Sequence, residues 1–212
     1  PLVEALLDAV EYAATDGTRL LILEGAGPHF CAGFDFTDVQ AQSEGDLVLR
    51  FIRIETLLQA VYHAPFETLA LAHGRVFGAG ADLVASCSQR IAAPDTTFRM
   101  PGLRFGVVLG TRRLTYRIGA DRAREILSTS RSFGSDEAMG CGFLTGISQQ
   151  SEWPAVIAGA KAAAEALAPA AAAALRRRTV TDSRAEDMME LARSVSTPGL
   201  KERIRKYRET SK

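Results

Sequence analysis

Apolar positions along the first 150 residues follow two kinds of pattern. Unbroken runs, Leu20-Leu21-Ile22-Leu23 and Leu69-Ala70-Leu71-Ala72, predict strands buried on both faces, because a strand with one wet face would alternate. Between them Leu47, Phe51, Ile54, Leu58 and Val61 step three or four residues at a time, which predicts an amphipathic helix over Asp46–Val61. Leu2, Leu6, Leu7 and Val10 predict another over Pro1–Ala14, closed by Thr15-Asp16-Gly17. Strand, helix and strand joined by this length of chain make a βαβ unit, whose strands run parallel with a right-handed crossover. Beyond it the pattern predicts a helix over Ala81–Cys87, strands at Gln89–Ala93 and Thr97-Phe98, and a helix over Arg122–Leu127. Ser135-Asp136-Glu137-Ala138 has the cap and acidic first turn of a further helix.

From Trp153 the chain turns to alanine and charge. Helices are predicted over Pro154–Leu167, Ala170–Arg178, Arg184–Val195 and Leu200–Arg208, with Pro169 suited to a first turn. Residues 171–212 carry 11 Lys/Arg against 6 Asp/Glu, which reads as a solvated helical face. Over all 212 residues the charges cancel at 25 each, so no nucleic-acid partner is expected, and the length suits one domain with a sizeable core. No apolar run approaches the ~20 residues of a membrane span. No stretch has the build of a signal peptide, so no membrane partner and a cytoplasmic location are expected. Cys31, Cys87 and Cys141 have no paired spacing and read as reduced thiols, with no metal site expected.

The candidate chemistry lies where the buried strands end. After Leu23 come Glu24-Gly25-Ala26-Gly27-Pro28 and then Phe30-Cys31-Ala32-Gly33-Phe34-Asp35-Phe36. This is either a plain turn or a loop whose exposed main-chain N–H groups receive an oxyanion. After Ala72 come His73-Gly74-Arg75-Val76-Phe77-Gly78-Ala79-Gly80-Ala81-Asp82-Leu83. Two such units around one helix can set two N–H groups side by side. Asp82 has two readings: a general acid/base, or a carboxylate stabilising the positive end of a helix. Gly78-Ala79-Gly80 is not a dinucleotide fingerprint, since Leu83 stands where the third glycine belongs. His29 and His63 have no triad or metal spacing, and His73 reads as a hydrogen-bonding loop residue.

The two loops together resemble the crotonase (enoyl-CoA hydratase/isomerase) superfamily, whose first motif is roughly F-x-A-G-x-D-hydrophobic and whose second is roughly N-G-x-x-x-G-G-G-x-E/D-L. Phe30–Phe36 matches the first and Gly74–Leu83 the second. Arg99-Met100-Pro101-Gly102-Leu103-Arg104-Phe105-Gly106 is similar to the family's F-x-x-P-E-x-x-x-G stretch, with Gly102 in place of the glutamate and a shortened loop after it. Gly142-Phe143-Leu144-Thr145 is similar to a family strand.

The resemblance implies an α/β fold, a crotonase-like ββα spiral core over 1–150 and a C-terminal helical oligomerisation region over 151–212. It implies an acyl-CoA substrate, coenzyme A entering as part of the substrate with no separate cofactor, and a homotrimer or hexamer. The assembly is expected also because the helices after Pro154 look too apolar for one small domain. Catalysis falls to the N–H groups of Phe34 and Ala79, as an oxyanion hole, and to Asp82. Substrate contacts fall to Ala32, Gly33, Phe34, Asp35, Phe36, Phe77, Gly78, Ala79 and Gly102. With one carboxylate of the usual two, isomerisation fits better than efficient hydration. The alternative is a non-catalytic acyl-CoA-binding or structural homologue. The family's first strand and its CoA-contacting turn are not in the chain, which starts at Pro1 without methionine, so a segment is expected upstream.

Overall fold

The computed structural model describes residues 1–210. In chain order the elements are α1 (Leu2–Ala13), β1 (Leu20–Glu24), α2 (Glu44–Tyr62), β2 (Glu67–Ala72), β3 (Arg75–Phe77), α3 (Ala79–Ser86), β4 (Gln89–Ala92) and β5 (Thr97–Arg99). There follow α4 (Thr111–Ile118), α5 (Ala120–Thr129), β6 (Ser132–Gly134), α6 (Ser135–Gly140), β7 (Gly146–Ile147), α7 (Trp153–Glu165), α8 (Pro169–Thr179), α9 (Arg184–Ser196) and α10 (Leu200–Thr210).

Four strands form an all-parallel sheet in the order β1-β2-β4-β7. Its middle strand β2 is buried on both faces, and the alternation of a strand sends its side chains to two different cores. Ala70 and Ala72 meet α1–α5 on one side, while Leu69 and Leu71 meet Trp153 and Ala160 of α7 on the other. A second, smaller sheet stands beyond the ends of β1 and β2: β3 pairs with β5 in parallel and β5 with β6 antiparallel. The α2 helix starts at a capping box, Ser43 Oγ accepting from Asp46 N while Asp46 Oδ2 accepts from Ser43 N, both at 3.1 Å.

Three expectations change. The strand expected at Gly142–Thr145 lies at Gly146–Ile147, because Phe143 and Leu144 turn inward as core plugs instead. The α3 helix begins two residues early, at Ala79, and β3 occupies part of the expected glycine loop. The C-terminal helices also find apolar partners within the chain. Leu191, Val195, Leu200 and Ile204 of α9 and α10 are fully buried against Leu47 and Phe51 of α2 and against Phe105 and Val107. Packing therefore crosses the expected boundary at residue 150, and of α7 to α10 only α8 has no buried residue among the described residues. No single helix among the described residues is long and apolar enough to cross a membrane.

Candidate functional site

The two glycine loops are bound to each other before any ligand arrives. Phe30 N donates to His73 O and Phe77 N to Cys31 O, each at 2.9 Å, and Cys31 bridges to Val76 in parallel. At Gly33 the backbone turns to φ +95°, and a Cβ there would fall 2.7 Å from the Phe77 carbonyl oxygen. Only glycine permits that approach. Gly78 then caps α3, its own N–H donating to Arg99 O at 2.7 Å. This contact between loops brings the segments carrying the Phe34 and Ala79 amides to one cavity wall. Among the described residues no protein acceptor takes either N–H. Ala79 opens α3, so the positive end of the helix dipole points the same way as its amide.

The cavity measures about 90 Å³. Ala32, Gly33, Phe34, Phe36, Phe77 and Gly78 line it, and Ala79, Asp82 and Gly102 join them. Asp35 does not line it. Its Oδ1 accepts the Thr37 N–H at 2.8 Å in a local turn, and hydrogen bonding by the Thr37 side chain, with that N–H second, holds its carboxyl below the usual carboxylate range. Part of the remaining wall comes from residues the motifs do not mark: Phe51 from α2, Met100, Val107 and Leu109 from the connecting loops, and Tyr207 from α10. The Phe34 ring stacks on Phe51 at 4.3 Å between centroids, and the Arg50 guanidinium lies 4.2 Å over the Phe34 ring. Its side chain is clamped while its amide stays free.

Asp82 is 4% exposed, and its Oδ1 has no hydrogen-bond partner among the described residues. Burial pushes its carboxyl up to about 8, with the Arg113 guanidinium pulling the other way and the Glu55 carboxylate adding to the rise. An acid poised near neutrality can give and take a proton, which an ordinary carboxylate does poorly at this pH. Thr111, at the start of α4, also lines the cavity, and its Oγ1 is buried without a partner among the described residues.

Glu55 and Arg113 form a buried ion pair behind Asp82, at 1% and 2% exposure. Sequence reading passed over both. The signal was present, since Glu55 sits four residues after Phe51 and three before Leu58, within the apolar stripe of α2. The histidines lie outside the cavity. His73 Nε2 meets Gly27 O at 2.8 Å, His29 Nδ1 accepts from Arg75 N at 3.2 Å, and His63 closes α2.

This fold is that of the crotonase class. The enoyl-CoA hydratase/isomerase family model matches residues 1–212, and the chain belongs to that family. It is similar to a crystal structure from Bordetella parapertussis assigned to the enoyl-CoA hydratase/isomerases, with 53% identity, a TM-score of 0.96, and coverage of 97% of this chain and 86% of that one. It is 32% identical over 169 residues to the probable enoyl-CoA hydratase echA6 of Mycobacterium leprae, covering 74% of this chain and 66% of that protein. The human mitochondrial Delta(3,5)-Delta(2,4)-dienoyl-CoA isomerase is 30% identical over 149 residues, covering 63% of this chain and 45% of its own length. The aligned part of this chain thus spans less than two thirds of these curated relatives.

Proposed function

We propose that this protein processes an acyl-CoA thioester through an enolate. The thioester oxygen is received by the Phe34 and Ala79 N–H groups. Asp82 moves a proton at the acyl carbons next to it. The observation that carries this reading is one cavity wall holding two unengaged amides and a buried, partnerless carboxyl. Negative charge gathers on the thioester oxygen as a proton leaves the α-carbon, and each preorganised donor is typically worth ~3 kcal/mol there. A carboxyl poised near 8 can take that proton and return it to another carbon. Isomerisation therefore suits the site better than hydration, which needs a second group to hold and deprotonate water. Coenzyme A enters as part of the substrate, and this chemistry uses no separate cofactor.

The family resemblance supports a homotrimer or hexamer. Of the C-terminal helices, α8 and α9 keep exposed apolar side chains for contact, Leu175 at 54% and Met189 at 46%.

The test is a panel of saturated, 2-enoyl and 3-enoyl CoA thioesters, measured for binding and for turnover. Micromolar binding together with double-bond migration in the 3-enoyl member is expected. Binding without any turnover across the panel would move the protein to the non-catalytic class.

A further inference from the structure

Arg113 and Asp82 lie close enough for each to feel the other's charge, yet they are not bonded to one another. Asp82 projects from α3, which packs against both α2 and α4. From α2 comes Glu55, and from α4 comes Arg113. Both guanidinium Nη atoms of Arg113 go to Glu55, Nη1 to Oε1 at 2.9 Å and Nη2 to Oε2. Glu55 is held in place by Gln59, whose Nε2 donates to Oε1 at 2.9 Å. From α9, Asp187 Oδ2 stands 3.8 Å from Arg113 Nη1, while its Oδ1 is occupied by Arg112 Nε at 2.9 Å. Among the described residues, Arg113 Nε, which is also buried, donates to nothing, and Asp82 Oδ1 accepts from nothing.

A buried aspartate beside an arginine ordinarily ionises and pairs with it, ending as a fixed carboxylate. Here the bidentate face of the guanidinium, its strongest binding geometry, is already committed to a second carboxylate. Asp82 therefore faces an ion pair of almost no net charge.

We propose that Glu55 and Arg113 are positioning residues for Asp82: Glu55 occupies the arginine and so leaves the Asp82 carboxyl free to exchange a proton. The proposal rests on the acid/base reading of Asp82, but its test needs no substrate. In the unliganded full chain, labelled at the aspartate carboxyl carbons, Asp82 is followed by NMR from pH 4 to 10. Its resonance is assigned by its loss in Asp82→Asn.

Glu55→Gln strands the cation beside Asp82, and the Asp82 midpoint should fall by ~1–3 pH units. Arg113→Met leaves a second carboxyl with no cation, and the midpoint should rise. The double variant removes a neutral pair and should titrate like the parent. The two single variants move in opposite directions, so either one that folds decides the matter. Midpoints unchanged in the single variants, even with lowered melting temperatures, would make the pair purely structural and overturn the proposal. A double variant that kept the Glu55→Gln shift would overturn it too. Shifts as expected in a chain that binds no acyl-CoA would sustain the charge relationship and remove the thioester reading alone.

Discussion

Gly110 and Asp82 meet where a side chain would begin: a Cβ built on Gly110 would fall 1.9 Å from Asp82 Oδ1. The backbone at Gly110 also sits at φ +66°, as the N-cap of α4. Two separate penalties therefore attach to any other residue. The left-handed backbone costs roughly 1–2 kcal/mol, and the collision adds an overpacking cost of roughly 1–3 kcal/mol. Gly110→Ala should lower stability by the sum of these, read from urea unfolding. In an Asp82→Ala background the collision disappears and the cost of Gly110→Ala should shrink to the backbone part. Equal costs in the two backgrounds would mean that α4 moves aside freely and does not fix the carboxyl.

The buried carboxyl also makes stability depend on pH, and the sign follows from proton counting. Asp82 has an ordinary value of 3.8 and is pushed up to about 8 in the fold. Between those limits the folded chain holds a proton that the unfolded chain has released, so the Asp82 contribution to stability declines as pH rises. At its steepest this single group contributes roughly 1.4 kcal/mol per pH unit. Asp82→Asn has no such proton to lose. Its urea midpoint should overtake that of the parent between pH 5 and pH 8, and parallel curves for the two proteins would contradict the burial argument.

The sequence marked the strands and long helices because their signals are local. Leu20–Leu23 and Glu67–Ala72 read as buried strands and form neighbours in one parallel sheet. The loops around Phe34 and Ala79 were legible as a pair through motif order. What could not be read depends on contacts between distant segments. Tyr207 reaches the cavity only because α10 folds back over Phe105. Short strands such as β3 and β6 are defined by their pairing with β5, not by any run of apolar residues. The apolar faces of α9 and α10, read from sequence as surplus, are covered by α2 and Phe105. A periodicity shows that a helix has a face to bury and says nothing of what buries it.

The amide of Phe34 can be separated from its ring. Phe34→Pro removes the N–H and should cut turnover of a responsive thioester by ~100-fold or more, the usual consequence of losing one oxyanion donor. The ring is held between Phe51 and Arg50, so truncation to alanine would loosen the loop as well. Phe34→Leu is the better control, keeping the amide and much of the packing, and should stay within about tenfold of the parent on the same reasoning. Steady-state rates for the three proteins decide it. Comparable losses in the proline and leucine variants would assign the effect to the side chain.

Gly102 stands where family hydratases, by the motif resemblance, carry their second carboxylate. Water addition to an enoyl thioester needs one group to orient and deprotonate water and a source of protons for the α-carbon. Glycine supplies neither, and each acid–base group is typically worth ~10²–10⁴-fold. Hydration of crotonyl-CoA should therefore be slow in the parent protein. The obvious repair, Gly102→Glu, should not mend it. A Cβ at this position would lie 2.9 Å from the Val107 carbonyl oxygen, and Gly102 O already accepts Val107 N at 2.9 Å. The obstacle is backbone, which cannot swing away as the tip of a side chain would. The segment from Gly102 to Val107 is closed on itself, and a glutamate there must first open it, at roughly 1–3 kcal/mol of stability. The expected result is a less stable protein with no gain in 3-hydroxybutyryl-CoA formation, measured by loss of enoyl absorbance. A tenfold or greater gain in Gly102→Glu would show that the shortened loop still points residue 102 at the reacting carbons, and that the missing carboxylate alone limits hydration.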